Sequence, residues 1–564
     1  MRHPSAAPTA PTAPMARVAG LLVAALVALV GCTSPPLGTG GQTPDHGRAP
    51  TASGALTTVT PAALSAVTQT PPAVSVAGGS SAGQVAAAVS ASLFRSAPVV
   101  LAVMADDPAG AVRAARIARS MGLPLLLGDP PAAATTTGAT AGTEPVGSGP
   151  LAREVARLHP TTVLAIGAAA GRLSGVSSAD VVDVDPGEAP LQRALAALPS
   201  VARPAPLAST TLLVRRAAVA TGGTSANERA ATAPALVAAV TATAGGVGAT
   251  VVPVGEDDLR GDAATVTAMA QAPRGPVVAA GSGFGPVPTL TRRIRLARTG
   301  TQLPGGGQRM FPGRALVALY GHPGGAGLGV LGEQGPDETT RRAATVAAPY
   351  APLYDVPVVP TLEIIATVAS GSAGADGNYC NESSVESLRP MVDAATRAGQ
   401  YVVLDLQPGR ADLVDQARRY QSLLEQPDVG LALDPEWALG PDQLPLKQIG
   451  SVSAEQVNDV VRWLAGVTAA ANLPQKVLVV HQFRPAMVRD VGRLDLGHEE
   501  VALLVHVDGQ GARLSKESTW SRIVATTPAG VFLGWKNFYD EDPQTASPAD
   551  TVNRSPRPLM VSYQ

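Results

Sequence analysis

The chain is poor in several residue types that mark particular protein classes. Its 564 residues carry a formal net charge of −2, contain two cysteines and are 3% aromatic. A charge near zero produces no long-range field, which argues against a nucleic-acid partner. Two cysteines are too few for a disulfide framework. With 45% apolar residues, the chain is expected to form two or three globular domains.

Lysine, tryptophan and tyrosine are absent from residues 76 to 310, where Phe94 and Phe284 are the aromatic residues. Every lysine, tryptophan and tyrosine of the chain lies after residue 311. Such a shift in composition predicts a domain boundary, with "GGGQRMFPG" (305–313) as the linker.

The N-terminus contains an uncharged run at 18–30 that follows Arg17 and ends in "LVGC". This run is too short to span a membrane but has the length of a signal-peptide core. Residues 29–32 resemble the lipobox of bacterial lipoproteins. The resemblance implies a signal peptide at 1–31, lipidation of Cys32 and attachment to the outer face of the cytoplasmic membrane by acyl chains. The alternative is an ordinary signal peptide with an incidental cysteine.

If Cys32 is lipidated, Cys380 is left without a disulfide partner. It lies in the loop-like sequence "NYCNESS". We interpret it as a buried or incidental thiol rather than a nucleophile, because no base is identifiable nearby. Residues 32–75, rich in Pro, Thr, Ser and Gly, are predicted to form a disordered tether.

Residues 76–304 alternate short apolar runs with helical patterns. Such alternation predicts buried parallel strands with helical crossovers, in a flavodoxin-like αβ arrangement. The order strand, helix, strand, helix, strand occurs twice, which indicates two degenerate copies of one unit. The tract "GSGFG" (281–285) is followed by Pro286 and Pro288, so it does not fit a dinucleotide-binding fingerprint. We predict no cofactor.

Two segments of this region resemble cell-wall-binding repeat type 2. They are "VVLAVMADDPAGAVRAARIARSMGLPLLLGDP" and "LAREVARLHPTTVLAIGAA". The stretch 75–94 resembles the leading segment of that family but lacks its Asp-Arg-Tyr signature. The resemblance implies binding to cell-wall polysaccharide or peptidoglycan. A generic flavodoxin-like scaffold is the alternative.

Residues 314–564 contain eight apolar, strand-like runs with helical patterns between them. The runs are "ALVALYGHPG", "PVVPTLEIIATV", "YVVLDLQPG", "VGLALDPEW", "KVLVVHQFRP", "VALLVHVDGQG", "GVFLGWKNFYDED" and "PLMVSYQ". Eight strands alternating with helices over this length predict a (β/α)8 barrel of the TIM type. One helical pattern opens with a Ser453-x-x-Gln456 capping box.

Polar residues follow the apolar part of most of these runs. In such barrels the active site is built at the carboxyl ends of the strands. We therefore expect one site from Tyr320, His322, Glu363, Asp405, Asp434, Glu436, His481, His506, Asp508, Lys536 and Tyr539.

Several of these residues also have structural interpretations. Asp405 could cap a turn, and His322 could bond a loop carbonyl. Lys536, if buried, would need a carboxylate partner such as Asp508 or Glu436. The acidic tract 537–542 is expected to be a solvated loop, with Asp542 outside the chemistry. A metal site formed by His322, His481, His506 and Asp508 is an alternative, but no closely spaced ligand pair supports it. We predict no metal.

The motif "LALDPEW" (431–437) ends the fourth predicted strand. It resembles the D-x-E strand end of chitinase-like and lysozyme-like glycosidases. The fuller D-x-x-D-x-D-x-E pattern would need aspartates where this chain has Val429 and Ala432. The resemblance implies Glu436 as the general acid and Asp434 as its partner, provided the backbone stays extended through Pro435. Glu363 is the other candidate partner across the mouth.

Hydrolysis of a glycosidic bond needs two carboxyl groups, one of them protonated. Trp437, Trp535 and Tyr539 are expected to stack against sugar rings. The sequence thus suggests a lipid-anchored surface protein with a glycosidase-like barrel. A non-catalytic glycan-binding or scaffold lipoprotein is the alternative.

Overall fold

The computed structural model describes residues 63–130, 148–173, 175, 179–216 and 234–564. The signal peptide, Cys32 and the tether as far as residue 62 lie outside this range. Short strands at Leu64–Ser65 and Val67–Thr68 fall within the stretch predicted to be a tether, which is a correction to that boundary. Within the described residues, no helix is both long and apolar enough to cross a membrane.

The N-terminal αβ region (63–299) contains two four-stranded parallel sheets. In spatial order, one sheet consists of Leu125–Gly128, Val99–Met104, Thr162–Ile166 and Asp180–Val184, and the other of Thr250–Val254, Thr211–Arg215, Val277–Ala280 and Val74–Ala77. In both sheets the first strand of the copy lies between the second and the third. The parallel αβ fold is thus confirmed, and the repeated order agrees with two copies of one unit.

The fourth strand of each sheet comes from a different part of the chain. Asp180–Val184 follows its own copy, whereas Val74–Ala77 precedes both copies and completes the second sheet. The helices of the region are Ala82–Leu93, Pro108–Met121, Pro150–Leu158, Glu188–Ala196, Pro234–Gly246, Ala263–Gln271 and Val287–Ala297.

Eight parallel strands close into a barrel in the second half. They are Ala315–Gly321, Val358–Ala369, Tyr401–Leu406, Val429–Leu433, Lys476–His481, Val501–Val507, Phe532–Asn537 and Met560–Tyr563. Their spatial order follows the chain, and the first strand pairs with both the second and the eighth. The predicted (β/α)8 barrel is confirmed, with one strand in each predicted run. A short antiparallel strand, Cys380–Glu382, extends the second barrel strand.

Helices lie between the strands of the barrel, as the helical patterns between the apolar runs predict. They are Pro336–Ala347, Val385–Arg397, the broken pair Leu413–Arg418 and Gln421–Leu424, Ala454–Ala470, Arg513–Thr526 and Pro548–Val552. The Ser453–Gln456 capping box is present. The helix Arg513–Thr526 was not predicted, since its buried face mixes Lys516 and Thr519 with Trp520 and Ile523 instead of forming an apolar stripe.

The linker closes the amino-terminal end of the barrel. Met310 and Phe311 are buried in the barrel's interior cluster, and the Phe311 ring lies 5.1 Å from that of Phe532. Beside them, Arg260 of the αβ region lies 2.7 Å from Asp258 and 3.2 Å from Glu499, just before the sixth barrel strand. The αβ region therefore contacts the amino-terminal end of the barrel.

Candidate functional site

The interior of the barrel changes from apolar to polar along the strands. The buried interior cluster includes Leu316 and Ala318 on the first strand, Val403 on the third and Leu504 on the sixth. Side chains alternate along a strand, so the residue two positions further on faces the same interior. At that next level each strand, or the residue directly after it, supplies a buried polar side chain, and we call this set the mouth layer: Tyr320, Glu363, Asp405, Asp434, His481, His506, Lys536 and Ser562.

His481 is the central cation of the mouth layer. Its Nε2 lies 3.1 Å from Glu363 Oε1 and 4.0 Å from Asp405 Oδ1, and its Nδ1 lies 3.2 Å from Asp508 Oδ2. Burial alone would lower the pKa of His481, but the three carboxylates outweigh it and raise the pKa well above 6.5. The imidazolium thus links carboxylates from the second, third and sixth strands.

His506 has the opposite electrostatic behaviour. Burial, followed by the positive charges of His481 and Lys536, holds its pKa well below 6.5. The two imidazole rings lie 5.1 Å apart, and His506 Nε2 lies 3.1 Å from the Ser562 hydroxyl. His506 is therefore neutral beside a charged histidine. Ser562 was not predicted, although it is the one polar residue in the apolar run that forms the eighth strand.

Tyr320 connects the first strand to the third. Its hydroxyl donates a hydrogen bond to Asp405 Oδ2 at 2.8 Å, and Lys536 Nζ lies 3.5 Å from the centre of its ring. The structure thus assigns Asp405 to the interior rather than to a turn. Among the described residues, no carboxylate lies within ion-pair distance of Lys536, so the predicted pairing with Asp508 or Glu436 is replaced by a cation–π contact.

Glu436 stands at the open edge of this layer. The fourth strand ends at Leu433, and Pro435–Trp437 form a turn of 3-10 helix, so the extension expected through Pro435 is wrong. Burial and the nearby Asp508 raise the pKa of Glu436 to about 7, against a weaker opposing effect of Lys536. Burial, then Glu436 and Asp405, raise the pKa of Asp434 well above 3.8. Glu436 is therefore partly protonated at neutral pH, and Asp434 keeps its proton to a higher pH than an ordinary aspartate.

Several oxygen and nitrogen atoms of the mouth have no hydrogen-bond partner among the described residues although they are buried. They are Glu363 Oε2, Asp405 Oδ1, Asp434 Oδ1, His506 Nδ1 and Asp508 Oδ1. Buried polar groups are nearly always satisfied in folded proteins, so such a cluster calls for a partner. A ligand rich in hydroxyl groups would supply both donors and acceptors.

Other predicted site residues lie elsewhere. His322 bonds Ser383 Oγ at 3.0 Å and accepts from Gly324 N at 2.9 Å, so its ring is held by a hydroxyl and a backbone N–H instead of the loop carbonyl expected from the sequence. Tyr539 is 40% exposed and stacks on Tyr563. The metal arrangement weighed from the sequence does not assemble, and the described part of the chain contains no group of three or more His, Cys, Asp or Glu side chains arranged to hold a metal ion.

Two residues, Trp535 and Asp542, lie in surroundings different from those predicted from the sequence. Trp535 is buried between the barrel and the helix Arg513–Thr526, 5.8 Å from Trp520 and under the Arg554 guanidinium, so it offers no face to a sugar. Asp542 is not on a solvated loop. It is buried in an ion pair with Lys516 and accepts from Gly511 N at 2.9 Å.

The thiol of Cys380 is buried, as interpreted from sequence. It donates to Gln407 O at 3.2 Å, and burial raises its pKa to about 11. A thiol held in this state is a poor nucleophile.

Comparisons with known proteins add little to this geometry. No family model matches the chain, and no curated protein matches it in sequence. Among solved structures, the chain is similar to Cwp6 from Clostridium difficile, with 11% identity and a TM-score of 0.29 over 60% of this chain and 63% of that one. It is also similar to a member of the enolase superfamily from Salmonella Typhimurium, with 11% identity and a TM-score of 0.22 over 49% and 66%. TM-scores this low support no argument about function.

Proposed function

We propose that this protein is a cell-surface glycoside hydrolase whose barrel cleaves envelope glycans. The observation that carries the proposal is the position of Glu436. It is a partly exposed carboxyl group with its pKa raised to about 7, at the open end of a barrel that contains four further carboxyl groups. A general acid of a glycosidase needs this combination of access and raised pKa.

The proposed roles follow from the contacts of each carboxyl group. Glu436 transfers its proton to the leaving oxygen, and water supplies the hydroxyl group that bonds to the anomeric carbon while a carboxylate of the mouth takes up the proton that water releases. Asp508 is the proposed anionic partner, because it has the largest charge effect on Glu436 and is held by the imidazolium of His481. Protonated Asp434 donates to a sugar hydroxyl. Glu363, bonded to His481, positions that ring instead of acting across the mouth.

The experiment measures released reducing ends. The full chain is incubated with peptidoglycan and with arabinogalactan-type polymers, alongside Glu436→Gln and the matched control Glu386→Gln, an exposed glutamate on the helix Val385–Arg397. We expect release by the wild type and the control, with a loss of at least about 100-fold in Glu436→Gln. Absence of release by the wild type, with binding retained in Glu436→Gln, would instead establish the non-catalytic glycan-binding alternative.

The attachment of the protein to the cell surface is also a proposal. It rests on the lipobox-like residues 29–32 and on the resemblance of the αβ region to cell-wall-binding repeats. Metabolic labelling with an alkyne fatty acid is expected to mark the wild type and not Cys32→Ser. Sedimentation with purified walls tests the second part, since residues 63–299 are expected to account for the binding.

A further inference from the structure

A cavity of about 370 Å³ opens directly beside Glu436. Its lining is Glu436, Trp437, Leu446, Lys447, Gln448 and Ile449. Ligand-binding pockets begin at roughly 300 Å³, so the space is large enough for part of a substrate. The lining therefore combines the proposed general acid with residues 446–449 of the segment 444–449, which we call the apolar loop.

The apolar loop exposes large hydrophobic side chains at the mouth. Leu446 is 81% exposed, and Leu444 and Ile449 are 40% and 41% exposed. Leu446 has a φ of +63°, in the left-handed region that residues other than glycine rarely adopt. Three exposed aliphatic residues within six positions are unusual on a surface that binds only polar sugars.

The apolar loop is fixed to the turn that carries Glu436. Gly450 N donates to Glu436 O at 2.6 Å, and Leu439 N donates to Gly409 O at 2.8 Å. A Cβ atom added to Gly450 would lie 2.7 Å from Glu436 O, so the close approach requires glycine. The exposed side chains are thus held beside the acid.

Trp437 supplies a second indication of a ligand. Its indole lines the same cavity, and its Nε1 is buried without a hydrogen-bond partner among the described residues. An indole N–H normally finds an acceptor when it is buried. A glycosidic or hydroxyl oxygen of a bound sugar would accept this bond while the attached apolar group lies against Leu446 and Ile449.

We propose that this cavity binds the alkyl or acyl chain of an amphipathic glycoside, so that the substrate class of the site is glycolipids. The inference rests on the proposed function, since it places the chain on the leaving-group side of Glu436. The apolar surface favours a hydrocarbon group through the hydrophobic effect, and Glu436, which lines the cavity two residues after Asp434 of the mouth layer, marks the side on which the sugar would lie.

The test compares two probes that differ in the chain alone. Binding of octyl β-glucoside and methyl β-glucoside to the full chain is measured by calorimetry, with the detergent below its micellar concentration. The variants are Leu446→Asn, in which asparagine tolerates the positive φ, and the matched control Leu514→Asn, at a leucine 86% exposed on the helix Arg513–Thr526. We expect octyl glucoside to bind at least about tenfold more tightly than methyl glucoside. Leu446→Asn should remove most of that difference and Leu514→Asn none.

Two results would overturn the inference. One is equal affinity of the wild type for both probes. The other is that Leu446→Asn binds both octyl glucoside and sugar-free phosphatidylcholine vesicles as tightly as the wild type does. Release of reducing ends by the wild type is measured in parallel, because chain binding without turnover would reject the proposed hydrolysis and leave the apolar subsite standing.

Discussion

His481 Nε2 lies 3.1 Å from Glu363 Oε1, in a part of the barrel where both side chains are fully buried. A charge pair of this kind costs desolvation energy, and it persists only when each partner is compensated. Here the imidazolium is shared with Asp508, whose Oδ2 lies 3.2 Å from Nδ1. The His481 ring contacts a carboxylate through each of its nitrogen atoms, so removing it leaves Glu363 and Asp508 without their shared cation.

The first prediction concerns the contact of His481 with these two carboxylates. His481→Leu is expected to lower the free energy of unfolding by about 3–5 kcal/mol, because Glu363 is left charged and unpaired. Adding Glu363→Leu should recover part of the loss. Urea unfolding at about pH 6 measures the stability of the single and the double variant. His498→Leu, at a half-exposed histidine paired with Asp495, is the control and should cost at most about 1 kcal/mol. A double variant less stable than the single one would contradict the argument.

The pH dependence of the same pair has a definite sign. The folded pKa of His481 is raised above its unfolded value of 6.5, so its stabilisation is complete below about pH 6.5 and is lost as the pH rises through the folded pKa. The stability difference between the wild type and His481→Leu should therefore shrink on the alkaline side of neutrality. A difference that grows with pH would show that His481 is neutral in the folded protein.

Glu436 predicts a pH dependence of the same sign, which can be measured against its neutral isostere. Its folded pKa is raised from 4.5 to about 7, so folding favours the protonated form and is penalised as the pH rises between these values. Glu436→Gln should match the wild type near pH 4 and be more stable by up to about 3 kcal/mol near pH 8. The rate of glycan release should also fall above about pH 7. Thermal unfolding across this range checks the stability, and Glu386→Gln should show neither effect.

The two tryptophans that were expected to bind sugars should now behave differently. Trp437→Ala should weaken binding of octyl glucoside, because Trp437 lines the cavity beside Glu436. Trp535→Ala should cost about 3–5 kcal/mol of stability, because the ring is packed against Trp520 and Arg554. Binding by the folded Trp535→Ala protein should be unchanged. Calorimetry and urea unfolding separate the two effects.

Much of the barrel could be predicted from sequence because its signals are periodic. Each strand is a short apolar run whose side chains point alternately into the barrel and out of it, so Asp405 and His506 share the interior with apolar residues two positions earlier. The same rule located the mouth layer. It could not distinguish Trp535 from a binding residue, because Trp535 occupies the outward face of its strand, and the helix that covers it has no regular apolar stripe. Periodicity also does not report where a strand stops, so the turn at Pro435 was missed.

No sequence pattern predicts the contact between the αβ region and the barrel. Arg260 and Glu499 are 239 positions apart in the chain, and neither lies in a motif. Their pairing depends on how the two regions pack, which local patterns do not encode.

This contact gives the last prediction. Arg260 is buried and pairs with Asp258 at 2.7 Å and Glu499 at 3.2 Å. Burial alone would raise the pKa of Asp258, but the Arg260 guanidinium holds it below 3.8. The ion pair therefore stabilises the folded protein above that pH, and its contribution is lost as the pH falls through the folded pKa. Arg260→Met removes the most buried cation of this network, although Arg293 still contacts both carboxylates, and should destabilise the protein by about 1–3 kcal/mol at neutral pH.

Differential scanning calorimetry measures this loss and shows whether the two regions still unfold together. Arg462→Met, on the exposed face of the helix Ala454–Ala470, removes a comparable cation from Glu455 and Asp459 and should leave the transition unchanged. If the Arg260 network couples the regions, Arg260→Met should split one transition into two, and Asp258→Asn in the same chain should partly restore the wild-type profile. A single, unshifted transition in Arg260→Met would show that the remaining contacts, among them those of Arg292 and Arg293 with Glu499, hold the barrel to the αβ region without Arg260.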